Sequence, residues 1–191
     1  TELEVYINRN DIDPIVKAAL AHYQFETIHP FLDGNGRLGR LLITLLLIND
    51  GVLSRPLFYP SYQLKLRRYE YYDWLMRVRE TGDYEGWILF FCECLEASAE
   101  DAESSLVKLV ELHEATASIV RSTLARGAIN GLALLELLEA HPIVTIAMVR
   151  DGLQVSRTTA SNLVEDFVRL GILVETDEYR QRYRTFSYEG Y

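Results

Sequence analysis

The residues whose types and spacing carry the clearest chemistry lie in twelve consecutive positions, 29–40, which read HPFLDGNGRLGR. A helix that opens with Gly34, Asn35 and Gly36 presents unpaired backbone N–H groups and the positive end of its dipole to whatever lies in front of it, which is an anion site. Glycine lets the backbone come close to a phosphate and take positive φ, while Asn35 tolerates the left-handed conformation and offers a side-chain amide. Arg37 and Arg40 are three residues apart, so both guanidinium groups reach round the first turn towards one ligand. A carboxylate beside a phosphate cradle, Asp33, is best explained by a divalent cation, Mg²⁺ foremost. His29 then supplies a neutral base for a substrate hydroxyl. Taken singly, a His-Pro pair or a Gly-Asn-Gly turn is ordinary loop chemistry. Their conjunction ahead of a long apolar run is not.

That run, residues 41–48, is apolar on almost every face and predicts a buried helix, with Gly51 as its C-cap. Upstream, Asp11 and Asp13 with Pro14 form a helix start, and Ile15, Ala18, Ala19, His22 and Phe25 follow at helical spacing. A helix over residues 12–27 therefore delivers the chain to His29. His22 reads as a packed helix residue rather than a second catalytic group, and Phe31 as the loop's anchor in the core. Residues 1–9, with alternating Leu3, Val5 and Ile7, suit either a strand or a helix end. Downstream, Pro56 and Pro60 bound an irregular connection. Ser61 caps a predicted helix over 62–80 whose Leu64, Tyr71, Leu75 and Val78 form an inward stripe. A further helical pattern runs from Tyr84 through Trp87, Phe90, Phe91 and Leu95, then continues in a more polar helix ending near Gly127.

At residues 29–40 the chain resembles the Fic family, whose signature HxFx[DE]GNGRxxR is met at every fixed position. The flanks, AHYQFETI at 21–28, Tyr71-Tyr72 and GDYEGW at 82–87, resemble the same family. The resemblance implies a mainly α, Fic-type helical bundle that transfers AMP from ATP to a serine, threonine or tyrosine hydroxyl of a protein, releasing pyrophosphate. It implies that His29 is the catalytic base, and that Asp33, Gly34, Asn35, Gly36, Arg37, Leu38, Gly39 and Arg40 hold ATP, with Asp33 also the Mg²⁺ ligand. Tyr71 and Tyr72 have two readings, core packing or, by the resemblance, an aromatic wall for adenine. Glu80 stands near where some relatives carry a nucleotide-contacting asparagine, with altered spacing to Gly82, so that contact is not carried over. Relatives that phosphorylate have a lysine in the motif, which Gly36 argues against, while others remove AMP or move another phosphate-linked group.

Many Fic proteins are restrained by a helix carrying [ST]xxxE[GN], whose glutamate pairs with the second motif arginine, here Arg40. The pattern occurs at 81–86 and at 185–190, and neither match falls on a predicted helix beside Arg40. The chain starts close to the motif, with little room for an upstream inhibitory helix or for the β-hairpin flap of relatives. The expectation is a fragment lacking its N-terminal part.

Beyond Gly127 the pattern changes. Residues 132–140 form a short helix stopped by His141-Pro142; Thr145 caps 146–151, which Gly152 ends; Ser156 caps 157–170, which Gly171 ends; strand-like runs follow at 172–176 and 183–187. This segment resembles a winged helix-turn-helix, a small α+β domain whose recognition helix would open at residues 156–161. The predicted domains are thus a catalytic part at 1–97, a helical connector at 98–127 and the winged-helix-like part at 128–191. Residues 131–191 carry nine acids against six arginines, a balance of −3 that favours protein recognition or a homodimer contact over DNA.

The 191 residues, 49% hydrophobic, are enough for one large or two small domains with a core. A net charge of −9 argues against general attraction to nucleic acid or membranes. Cys92 and Cys94, two apart on a predicted helix, point to different faces, so neither a disulfide nor a metal site follows. No run is long enough to span a bilayer and no leader opens the chain, so cytoplasm is the expected location.

Overall fold

The computed structural model describes residues 1–57, 59–124, 127–176 and 184–190. Among these the chain is mainly helical with one small sheet, in two compact units, Thr1–Ser105 and Leu106–Tyr191. In the first, α1 (Glu2–Ile7) is followed by α2 (Pro14–Ile28), α3 (Asn35–Asn49), α4 (Pro60–Leu66), α5 (Arg68–Thr81) and α6 (Tyr84–Leu124), the last of which spans both units. Residues 98–127, expected as a connector, are thus divided between the two units, and α6 is one 41-residue helix.

Local chemistry explains the starts. Thr1 and Glu4 form a capping box on α1, so the helix-end reading of residues 1–9 holds. Asp13 accepts from the amides of Ile15 and Val16, and Pro14 occupies the first turn, where its missing N–H is no loss. One expected helix, 62–80, is two. The chain breaks at Arg67 (φ −93°, ψ 34°), and Ser61 lies inside α4, whose N-cap is Tyr59. The break leaves Arg67 with Glu70 at 2.7 Å and Glu93 at 2.9 Å. The inward stripe of Leu64, Tyr71, Leu75 and Val78 is nonetheless buried as its periodicity requires.

The core of this unit gathers Ala18, Ala19, Ile43, Leu47, Trp87 and Phe91 around the α2/α3 pair. Three alanines on α2 let α3 and α6 come close, and the Trp87 indole N–H donates to the Ala19 carbonyl at 3.0 Å. The apolar run of α3 is not buried on every face. Ile43, Leu46 and Leu47 are inside, whereas Leu38, Leu41 and Leu45 form an exposed ridge, because neighbouring helices cover only one side. Phe31 is likewise half exposed and Leu32 fully so; the loop is anchored by other means.

In the second unit α7 (Ala128–Ala140), α8 (Ile146–Leu153) and α9 (Arg157–Arg169) pack on β1 (Ile143–Thr145), β2 (Leu173–Glu175) and β3 (Thr185–Tyr188). The sheet is antiparallel with order β1-β3-β2, pairing Val144 with Phe186 and Val174 with Ser187. Thr145 and Ser156 cap α8 and α9 as expected. Strand β1 was hidden in the sequence because it is only three residues long and follows a proline. Gly152 does not end α8; it lies within the helix against Leu137, and Gln154, in the left-handed conformation, is the C-cap. Tyr183, the expected start of the last strand, lies outside the described residues.

Between α2 and the end of α3 sits a buried ion pair. Lys17 Nζ lies 2.7 Å from Asp50 Oδ2 and donates to the Arg9 carbonyl at 2.8 Å, with both side chains nearly sealed from solvent. Removing one partner of such a pair strands the other charge. Lys17→Met should lower the unfolding free energy by about 3 kcal/mol in a urea titration at neutral pH.

Candidate active site

The loop between α2 and α3 is set by two left-handed residues. His29 (φ 49°, ψ 57°) is the C-cap of α2, its amide donating to the Phe25 carbonyl, and Gly34 (φ 82°) is the N-cap of α3. Gly34 alone of the glycine pair needs positive φ; Asn35 and Gly36 are already helical. Asn35 does not offer its amide to a ligand. It is buried and clamps the loop, accepting from the Phe31 N–H at 2.9 Å and donating to the Phe31 carbonyl at 2.6 Å. Asn35 thus does the anchoring expected of Phe31.

Gly34 brings no side chain to the first-turn amides of α3. They remain available to a ligand. Both arginines fold over this end of the helix. A methyl group at Gly34 would lie 3.5 Å from the Arg37 guanidinium, and one at Gly36 would lie 3.1 Å from that of Arg40. The helix terminus and two cations therefore converge where an anion would sit. Asp33 is exposed; one oxygen accepts from the Gly34 N–H at 2.7 Å and the other lies 3.5 Å from Arg37. No group of three or more metal-ligating side chains occurs among the described residues, so a cation beside Asp33 would have at most one further such side chain. That suits Mg²⁺, which takes one or two carboxylates and completes its shell from phosphates and water.

The His29 imidazole is largely exposed, with Nδ1 3.9 Å from Glu26 Oε2, one helical turn earlier. Sequence reasoning passed over Glu26, although a carboxylate three residues before a candidate base on a helix was a usable signal. Its side chain is only 10% exposed, and Oε1 is buried without a hydrogen-bond partner. Burial pushes its carboxyl up, opposed by the positive charge of His29 and Arg40.

His22 is structural. Its Nδ1–H donates to the Gly39 carbonyl at 2.9 Å, which leaves Nε2 to accept from the Tyr71 hydroxyl at 3.0 Å. This line ties α2, α3 and α5 together beneath the loop. Tyr71 is buried within it, its phenol pushed far above the ordinary range mainly by burial, so the core reading describes Tyr71. Tyr72 keeps its ring half exposed, 5.2 Å from that of Tyr71. Leu38 is exposed and Gly39 buried at the α2/α3 crossing. A cavity of about 690 Å³ lies on the opposite face of α2, lined by Leu3, Tyr6, Leu20, Tyr23, Ile28 and Tyr84, none of them in the loop. Of the two [ST]xxxE[GN] matches, 81–86 bridges the end of α5 and the start of α6, and 185–190 runs along β3 into the following turn.

The geometry is thus a helix terminus without a side-chain cap, two guanidinium groups over its first turn, and an exposed imidazole at the start of the preceding loop, beside Glu26. Residues 1–47 match the sequence model of the Fic/DOC family. The chain is 40% identical over 91 residues to the protein adenylyltransferase Fic of Drosophila grimshawi, a match covering 48% of this chain and 17% of that protein. It is 39% identical over 87 residues to the protein of the same name from Aedes aegypti, covering 46% and 16%. The chain thus spans under a fifth of the length of these relatives. A crystal structure of a Fic family protein from Desulfovibrio desulfuricans G20 shares the fold, with a TM-score of 0.53 and 23% identity, over 100% of this chain and 54% of that one.

Burial lowers the His22 pKa from its ordinary 6.5 to about 4, against the raising effect of the Gly39 carbonyl. The unfolded chain takes up this proton first as pH falls. The stability that neutral His22 contributes is present above pH 6.5 and is lost as pH falls towards 4, amounting to about 3 kcal/mol. Urea unfolding at pH 7 and pH 4.5 should show this loss, and His22→Gln, less stable at pH 7, should show a correspondingly flatter dependence.

Proposed function

We propose that this chain is the catalytic part of a protein adenylyltransferase, moving AMP from ATP to a hydroxyl of a target protein and releasing pyrophosphate. The observation that carries the reading is the uncapped start of α3, flanked by Arg37 and Arg40, with the exposed His29 at the other end of the same loop. The likeness to enzymes named protein adenylyltransferase Fic supports it.

In this mechanism the target hydroxyl oxygen attacks the α-phosphorus as His29 accepts its proton. The new O–P bond forms as the bond to the bridging oxygen breaks, and pyrophosphate leaves. The free first-turn amides of α3 and the two guanidinium groups hold phosphate oxygens and meet the charge that develops on the leaving group. Mg²⁺ held by Asp33 would neutralise phosphate charge and orient the triphosphate. Tyr72, exposed beside Tyr71, is the ring available to adenine, with Tyr71 supporting it from the core. Leu38 and Gly39 serve through the backbone of the same turn.

The second unit has the three helices and small antiparallel sheet of a winged helix-turn-helix, and we assign it to protein contact, including a second copy of this chain. Acidic Glu165 shares the exposed side of α9 with Arg157, Thr158 and Asn162, which suits a protein better than DNA. No helix among the described residues is long and apolar enough to cross a membrane. The free Cys92 and Cys94 fit a reducing, cytoplasmic setting.

Incubating the purified chain with α-³²P-ATP, Mg²⁺ and cell lysate tests the reading. Label should enter protein, chelation of Mg²⁺ should stop it, and His29→Ala should lower the rate on the order of 10²-fold or more. Equal labelling by His29→Ala sinks the mechanism.

A further inference from the structure

Glu26 is placed where a carboxylate has no packing reason to be. Its Oε1 lies buried without a donor, and Oε2 faces the His29 imidazole at 3.9 Å. Room for it is built into the neighbouring helix: a methyl group on Gly39 would come within 2.4 Å of Oε1 and 3.1 Å of Phe25, so only glycine there lets the carboxylate lie down against α3. The titratable groups that act on it are His29 at the end of α2, Arg40 on α3 and, through its phenol, Tyr71 on α5. A neutral glutamine would fill the same space. What a carboxylate adds is charge, and the groups facing it that gain from a negative charge are Arg40 and the imidazole.

We propose that Glu26 is the positioning residue of the base: it accepts the His29 Nδ1–H, fixes that tautomer and turns the Nε2 lone pair towards the incoming hydroxyl. The inference rests on the reading of His29 as the base. Catalytic hydrogen bonds are often long before substrate binds, and shortening 3.9 Å to bonding distance needs only a small turn of an exposed ring. When Nε2 takes the hydroxyl proton, the imidazolium is left beside a carboxylate that stays ionised, the division of labour seen wherever an acid orients a histidine base.

The experiment compares the parent with Glu26→Gln on the full 191-residue chain, with ¹⁵N-labelled histidine. At pH 8 the imidazole ¹⁵N shifts of His29 should report the Nδ1–H tautomer in the parent. In Glu26→Gln the side-chain amide can donate to Nδ1 instead, so the Nε2–H tautomer should dominate. The kcat for AMP transfer should drop on the order of 10²-fold, with the KM for ATP within about twofold. Unchanged His29 tautomers, or an unchanged kcat beside a shifted tautomer, overturn the proposal. Should Glu26→Gln fold poorly, Glu26→Asp decides: its shorter carboxylate keeps the Nδ1–H form if the proposal holds, and a mixture of tautomers overturns it. A failure of the base reading is separable. His29→Ala would then label normally, whatever the tautomer of His29 in the other variants.

Discussion

One buried, neutral imidazole holds the molecule's working end together. His22 donates to the Gly39 carbonyl and accepts from Tyr71, so a single ring on α2 fixes the position of α3 and α5 in a region with no water to offer substitutes. An unsatisfied buried donor or acceptor costs roughly 1–3 kcal/mol, and here both ends of the ring and both partners would be left unpaired if the helices slid. The first turn of α3 starts only four residues before Gly39. Its geometry therefore follows from packing that never touches a ligand.

The loop itself joins opposite helix ends. The carboxyl end of α2 terminates at His29 and the amino end of α3 begins at Asn35, so the negative end of one dipole and the positive end of the other are brought within one short connection. Incoming positive charge is favoured at the first and incoming negative charge at the second. In the proposed adenylyl transfer, a proton arriving on the imidazole and a polyphosphate arriving at the amides would be those two charges. Asn35 makes this juxtaposition rigid with paired hydrogen bonds across the loop to Phe31.

Much of this was legible because local chemistry decided it. Asp13-Pro14, Thr145 and Ser156 mark helix starts that the structure confirms, and the glycine pair ahead of the apolar run marks the start of α3. What failed depended on which neighbour happens to cover a residue. An apolar run on α3 looks the same whether one face or all faces are enclosed, so the exposed Leu38, Leu41 and Leu45 could not be told from buried ones. Asn35 took the anchoring role expected of Phe31 because a hydrogen-bonded clamp leaves no periodic trace. Lys17 was missed for the same reason: its partner, Asp50, lies far along the chain, where spacing does not reveal it.

His29 caps α2 in a left-handed conformation that the backbone itself would give to glycine or asparagine. Two selections acting on this codon would therefore diverge. A library sorted for cellular abundance should drift to the small or amide residues there, and one sorted for turnover should keep the imidazole. If His29 is the base proposed above, a sequence that retains histidine at that turn carries a record of use rather than of foldability.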